Sequence, residues 1–144
     1  SRARRVLQSG DTIIGTVRPG NRSFAFIHKP EKNLTGSTGF AVLRPSKKQY
    51  TEFVYLASTQ DSNIEHLAHV ADGGAYPAVR PEVVLNLKCV VPCNAEIQRF
   101  HEITSPLLGS ISENKKQAKT LANLRDTLLP RLISGQLRLP DVEA

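Results

Sequence analysis

The segment NAEIQRFHEITSPLLGSISENKKQAKTLANLRDTLL, residues 94–129, decides the architecture. Apolar residues recur along it mostly at steps of three and four, at Ile97, Phe100, Ile103, Leu107, Ile111, Ala118, Leu121, Leu124 and Leu128, which places them on one face of an α-helix. Glu102, Glu113, Lys115, Lys116, Lys119, Arg125 and Asp126 populate the rest of the surface, as on a helix of coiled-coil type. Asn94 suits the N-cap, and Glu96 falls in the first turn, where the helix dipole favours a carboxylate. Pro106 is expected to bend the helix or to separate a short first segment from a longer second one. Pro130 should disrupt its end, with a turn at Ser134-Gly135 before a polar tail over 136–144. A helix over 95–129 is about 50 Å long at ~1.5 Å per residue. A domain of this size cannot cover such a stripe, so part of it must face another helix, from a partner or a second copy.

Upstream the period changes. Thr12 to Val17 and Ser23 to Ile27 are rich in β-branched and aromatic residues, and Arg18-Pro19-Gly20-Asn21-Arg22 between them has the chemistry of a tight turn. The expectation is a hairpin or meander from Val6 to Ile27, with two arginines on one loop tip. Turn residues from Lys29 to Asn33 lead to Gly36-Ser37-Thr38-Gly39 and a strand from Phe40 to Leu43, closed by Arg44-Pro45. Phe53, Leu56 and Ala57, then Ile64, Leu67 and Ala68, predict two short helices between Tyr50 and Ala68, the second capped by Asp61 or Ser62. Asp72 to Pro77 breaks the pattern, and Val83 to Val91 reads as a further strand stopped by Pro92. The fold class is therefore α+β. A small mixed domain over 1–93 precedes a long helix over 94–133 and a C-terminal tail over 134–144.

The 144 residues carry 19 Lys and Arg against 13 Asp and Glu, a formal charge of +6. A basic balance favours a polyanionic partner, although many basic proteins carry only a solvated cationic face. No apolar run approaches the roughly 20 residues that cross a bilayer, so a membrane partner is not expected, and a cytoplasmic location is. Cys89 and Cys93 flank Val90, Val91 and Pro92, which reads as strand packing, not as a disulfide framework. His66, His69 and Asp72 imitate a metal spacing but lack the glutamate of a His-Glu-x-x-His helix and a fourth ligand. No metal or other cofactor is expected. There is no Gly-x-x-x-x-Gly-Lys-Ser/Thr phosphate loop, no Gly-x-Ser-x-Gly elbow and no Asn-Pro-Pro-Tyr or Asp-Pro-Pro-Tyr methylation motif. The chain is expected to be non-catalytic.

The stretch from Leu121 to Leu137, with Leu124-Arg125-Asp126-Thr127-Leu128-Leu129-Pro130 and Ser134-Gly135 at its heart, resembles the C-terminal signature of the specificity subunits of type I restriction-modification systems. Ser9-Gly10-Asp11-Thr12-Ile13-Ile14 is similar to the Gly-Asp strand of that family's target recognition domain, and Ser37 to Leu43 to its next core strand. The resemblance implies a DNA-binding domain that reads one half of a split site. It also implies a helix that docks the methyltransferase subunit and, through it, the restriction and translocase subunit. A full subunit of the family has two such domains and two antiparallel helices, and this chain has one of each. The family's domain opens with further residues, often including a Trp, so the domain is expected to be truncated at its N-terminus. Pairing with a second specificity half, or helix-mediated dimerisation, follows from the same comparison.

Within that frame the candidate DNA contacts are Arg18, Asn21 and Arg22 on the turn, Lys47 and Lys48, and Tyr76 and Arg80. Arginine and asparagine offer paired donors to base edges, whereas lysine supplies charge to phosphate. The plainer reading of each is a solvated turn or an exposed side chain. The apolar helix positions named above, Ile97 to Leu128, are the candidate partner-helix contacts. A reading from another class is a structural assembly adaptor that acts through its helix and has no DNA affinity of its own.

Overall fold

The computed structural model describes residues 3–71 and 74–137. Asp72 of the histidine spacing, Gly73 and the tail beyond Leu137 lie outside the described residues, as do Ser1 and Arg2. The chain divides into two compact units, 1–108 and 109–144. The fold is α+β, and among the described residues no helix is long and apolar enough to cross a membrane.

In the first unit, Thr12–Gly15 (β2) is the middle strand of a three-stranded antiparallel sheet. It pairs on one side with Phe24–Phe26 (β3) and on the other with Phe40–Leu43 (β5). Ile14 stands opposite Phe24 and Ala41, and Thr12 opposite Phe26 and Leu43. Side chains alternate across a strand, so these six share one face. From that face Ile14, Ala41 and Leu43 form the core with Ile64, Leu67, Val79 and Val84, and Phe24 packs against it. Ala3–Val6 (β1) pairs separately with Thr35–Ser37 (β4).

Two helices, Thr51–Ser58 (α1) and Asp61–His69 (α2), follow the strands as the periodicity predicts. Tyr55 of α1 packs its ring 6.4 Å from Phe24 and 5.4 Å from Phe26. The face of α1 differs from the expected one: Thr51, Glu52 and Ser58 are buried, while Leu56 is exposed. Nor do Asp61 and Ser62 cap α2. Gln60 occupies that position and makes no side-chain cap bond.

The strand expected from Val83 to Val91 does not form. Pro81–Leu85 is a short helix (α3) with Pro at its first position and Glu82 in its first turn, both favourable at a helix start. Beyond it the chain is irregular, and Val90 is 89% exposed. Cys89 and Cys93 are accordingly exposed free thiols, not packed strand residues.

The long helix, Asn94–Ile133 (α4), is assigned as one element through both Pro106 and Pro130, so neither proline divides it. Its first turn is capped differently from expectation. The Ile97 N–H donates to the Cys93 carbonyl, which makes Cys93 the N-cap, and the Glu96 carboxylate accepts the Cys93 N–H at 3.2 Å. That is the carboxylate half of a capping box. Asn94 instead accepts a hydrogen bond from the Tyr50 hydroxyl at 2.9 Å. The C-terminal stop matches the reading, because Gly135 takes a left-handed φ of 74° just past the helix.

Candidate nucleic-acid interface

The turn between β2 and β3 is built from two left-handed residues around a short 3-10 helix. Arg18 has φ 47° and ψ 59°, Pro19–Asn21 follow, and Arg22 returns to φ 57° and ψ 38°. Residues with a Cβ seldom occupy this region, and such outliers persist where the surroundings fix them. Here main-chain bonds do so. Asn21 N–H donates to the Arg18 carbonyl at 2.9 Å, and Arg22 N–H to that of Pro19 at 3.0 Å. Pro19 is buried, and a Cβ at Gly20 would sit 3.5 Å from that of Ala68 on α2, so the turn lies directly on that helix.

A second segment completes the site. Arg18 N–H donates to the Pro77 carbonyl, and Val79 N–H to that of Thr16, both at 2.8 Å, with Val17 bridged to Ala78. This pairing brings the stretch before Pro77 alongside the turn. The Arg18 Nη2 donates to the Ala75 carbonyl at 3.0 Å, and its guanidinium carbon stands 5.6 Å from the centre of the Tyr76 ring. Tyr76 is 63% exposed. Beside it runs a shallow groove whose rim includes Ser23, Ser37, Thr38 and Phe40. Arg22 points its Nη1 to Asp61 Oδ1 at 2.6 Å.

Of the sequence candidates, the structure therefore groups Arg18, Asn21, Arg22 and Tyr76. Lys47 and Lys48 are exposed where a short 3-10 turn leads into α1, and Arg80 is exposed in extended backbone at the start of α3. Among the described residues, no hydrogen bond, ion pair or ring contact ties those three to the turn. Nor does any group of three His, Cys, Asp or Glu among the described residues stand together as metal ligands.

Two charged pairs escape a reading by motif. Asp11 is fully buried, and Arg44 grips it through Nε to Oδ1 and Nη2 to Oδ2, each at 2.7 Å. Burial would raise the Asp11 pKa, but the Arg44 hydrogen bonds, the Gln8 N–H and the Arg44 charge outweigh it and hold the carboxyl below its ordinary value. Arg44 thus serves the domain's interior chemistry. Glu52, also buried, meets His101 Nδ1 of α4 at 2.5 Å and accepts from the Thr51 hydroxyl at 2.8 Å. Burial again pushes upward, and His101, Thr51, its own backbone and Ser105 together bring Glu52 below its usual value. The residue types gave a hint only at Gly10-Asp11, since nothing in the spacing joins Asp11 to Arg44 or Glu52 to His101.

The apolar face of α4 divides. Ile97 is wholly buried, and Phe100 packs edge-on against Phe53 with ring centres 6.3 Å apart, so these two serve the first unit itself. Ile103 and Leu107 are each 57% exposed, and Leu121 is 65% exposed. Ile111, Ala118, Leu124 and Leu128 are exposed with them.

No protein-family model matches the chain. It is 26% identical over 129 residues to the type I restriction enzyme HindI specificity subunit of Haemophilus influenzae, an alignment covering 88% of this chain and 28% of that one. It is 29% identical over 79 residues to the MjaIX specificity subunit of Methanocaldococcus jannaschii, covering 55% of this chain and 18% of that one. Among solved structures, a chain from a study of complex assembly and conformational transition in a type I R-M system overlays all of this chain and 37% of its own length. The TM-score there is 0.60 at 25% identity. The chain thus spans well under half the length of these relatives. In sequence and fold it is similar to the specificity subunits of type I restriction enzymes.

Proposed function

We propose that the chain is the target-recognition part of a type I DNA specificity subunit. In this reading residues 1–93 read one half of a split duplex site, and residues 94–133 dock a methyltransferase subunit and, through it, the restriction and translocase subunit. The chain itself performs no chemistry. The observation that carries the reading is similarity to a named specificity subunit over 88% of the chain. It is supported by exposed arginine and asparagine donors on a backbone-locked turn.

The experiment is a selection from a pool of random duplexes on the purified chain at low salt, followed by sequencing. A defined short motif is the expected result, and enrichment without any motif would overturn the assignment. Exchanging residues 1–93 for the equivalent region of a relative should replace the motif.

The exposed apolar face of α4 favours a second reading, an assembly adaptor that works through its helix alone. Sedimentation that shows concentration-dependent association, combined with no retention of DNA at low salt, would select it over the first.

A further inference from the structure

Resting on the DNA-reading assignment above, we infer that the two arginines of the turn do different work: Arg18 reads a guanine, Tyr76 is its positioning residue, and Arg22 anchors the turn. Both arginines share a left-handed backbone and an exposed position, so sequence and exposure alone do not distinguish them. Their partners do.

The Arg18 side chain is held without being neutralised. Its backbone is fixed from both directions, by its N–H to the Pro77 carbonyl and by its carbonyl to the Asn21 N–H. Its guanidinium lies against the Tyr76 ring at a distance that still gives cation–π attraction, and one of its five N–H donors is used by the Ala75 carbonyl. Among the described residues no carboxylate pairs with it. A guanidinium ordered before the ligand arrives loses less freedom on binding. Its remaining donors form a fork that matches two neighbouring acceptors, and guanine presents O6 and N7 in that arrangement in the major groove. The Ser37 and Thr38 rim of the groove beside Tyr76 adds short polar side chains next to the same spot.

Arg22 is the reverse case. Its Nη1 lies 2.6 Å from Asp61 Oδ1, and Asp61 is the first residue of α2, the helix on which the turn rests. The pair closes the far side of the turn onto α2. It also sets a carboxylate beside the one arginine that would otherwise match Arg18, which opposes approach of a phosphate or an electron-rich base edge.

The test uses the whole chain in the same random-duplex selection, run in parallel for wild type and for Arg18→Lys, Arg22→Lys, Tyr76→Leu and Tyr76→Phe, with circular dichroism to verify folding. Lysine keeps the charge and removes the fork. Arg18→Lys is expected to cut the preference for guanine at one position by about 5- to 150-fold, the range for a bidentate contact, with the other positions retained. Tyr76→Leu should weaken that same position, and Tyr76→Phe, which keeps the ring, should restore it. Arg22→Lys should change total retention on DNA without singling out a position. The inference falls if wild type selects a motif and Arg18→Lys leaves every position intact, or if Arg22→Lys is the variant that loses one. A wild-type chain that selects no motif overturns instead the DNA-reading assignment on which the inference rests.

Discussion

At the scale of single residues, the domain depends on one buried carboxylate. Asp11 leads into β2 with no exposed surface, and three of its hydrogen bonds come from Arg44 and from the Gln8 N–H. Gly10 before it has φ 88°, and a Cβ there would lie 2.6 Å from Thr51 Cγ2. Only glycine fits, because the backbone is left-handed and α1 leaves no room. Arg44→Met should cost about 1–3 kcal/mol in urea unfolding, less than a fully buried pair would, because Arg44 is itself about half exposed. Both Asp11 and Glu52 have folded-state pKa values below their ordinary ones. Their contribution is therefore fully present above the ordinary carboxylate range and lost as pH falls through the depressed folded values. Thermal melts should show stability declining below about pH 4, a range set by the unfolded carboxylates, and Arg44→Met should make that decline shallower.

Elements were legible where period and punctuation agreed. The Pro-Gly-Asn turn between two β-rich runs gave β2 and β3, and the three- and four-residue steps gave α1, α2 and the whole of α4. Val83 to Val91 misled because its valines favour strands by composition, whereas Pro81 and Glu82 set a helix start and, among the described residues, Val90 and Val91 belong to no strand. Position within the fold overrode propensity there. Pro106 does not divide α4, because one missing N–H is a local cost within a long helix. If so, Pro106→Ala should raise the melting temperature, by an amount equivalent to about 1–3 kcal/mol, since the helix interior regains a donor and loses a clash. A lower melting temperature would show that the proline shapes a packing contact. For the exposed face, Leu121→Asp with Leu124→Asp should abolish any self-association seen by sedimentation while leaving the monomer's helical signal intact. The candidate site was half readable: the turn arginines and Tyr76 could be named, but their contacts depend on the bridge from Val17 to Ala78, a pairing that local sequence does not encode.

For the molecule as a whole, what a polyanion meets depends on which cations stand without an acidic partner. Arg22, Arg44 and Arg125 each sit against an aspartate, so these pairs add nothing to the net +6, which rests on other cations. Lys47 and Lys48 have no such partner among the described residues. DNA retention by the chain should weaken as salt rises. Lys47→Gln and Lys48→Gln should each lower the slope of log affinity against log salt by about 0.9 if they meet phosphate. Arg44→Gln should leave the slope unchanged once its effect on stability is allowed for. Titrations at several salt concentrations separate these outcomes. The turn that carries Arg18 has one more consequence, for how such a protein diversifies. Because carbonyls and amides hold its backbone, and Pro19 and Gly20 seat it on α2, the side chain at position 21 contributes nothing to the scaffold that the structure records. That one position is in effect an interchangeable slot on a fixed frame. Another residue can be written at position 21 by mutation or by design while the domain beneath keeps its shape.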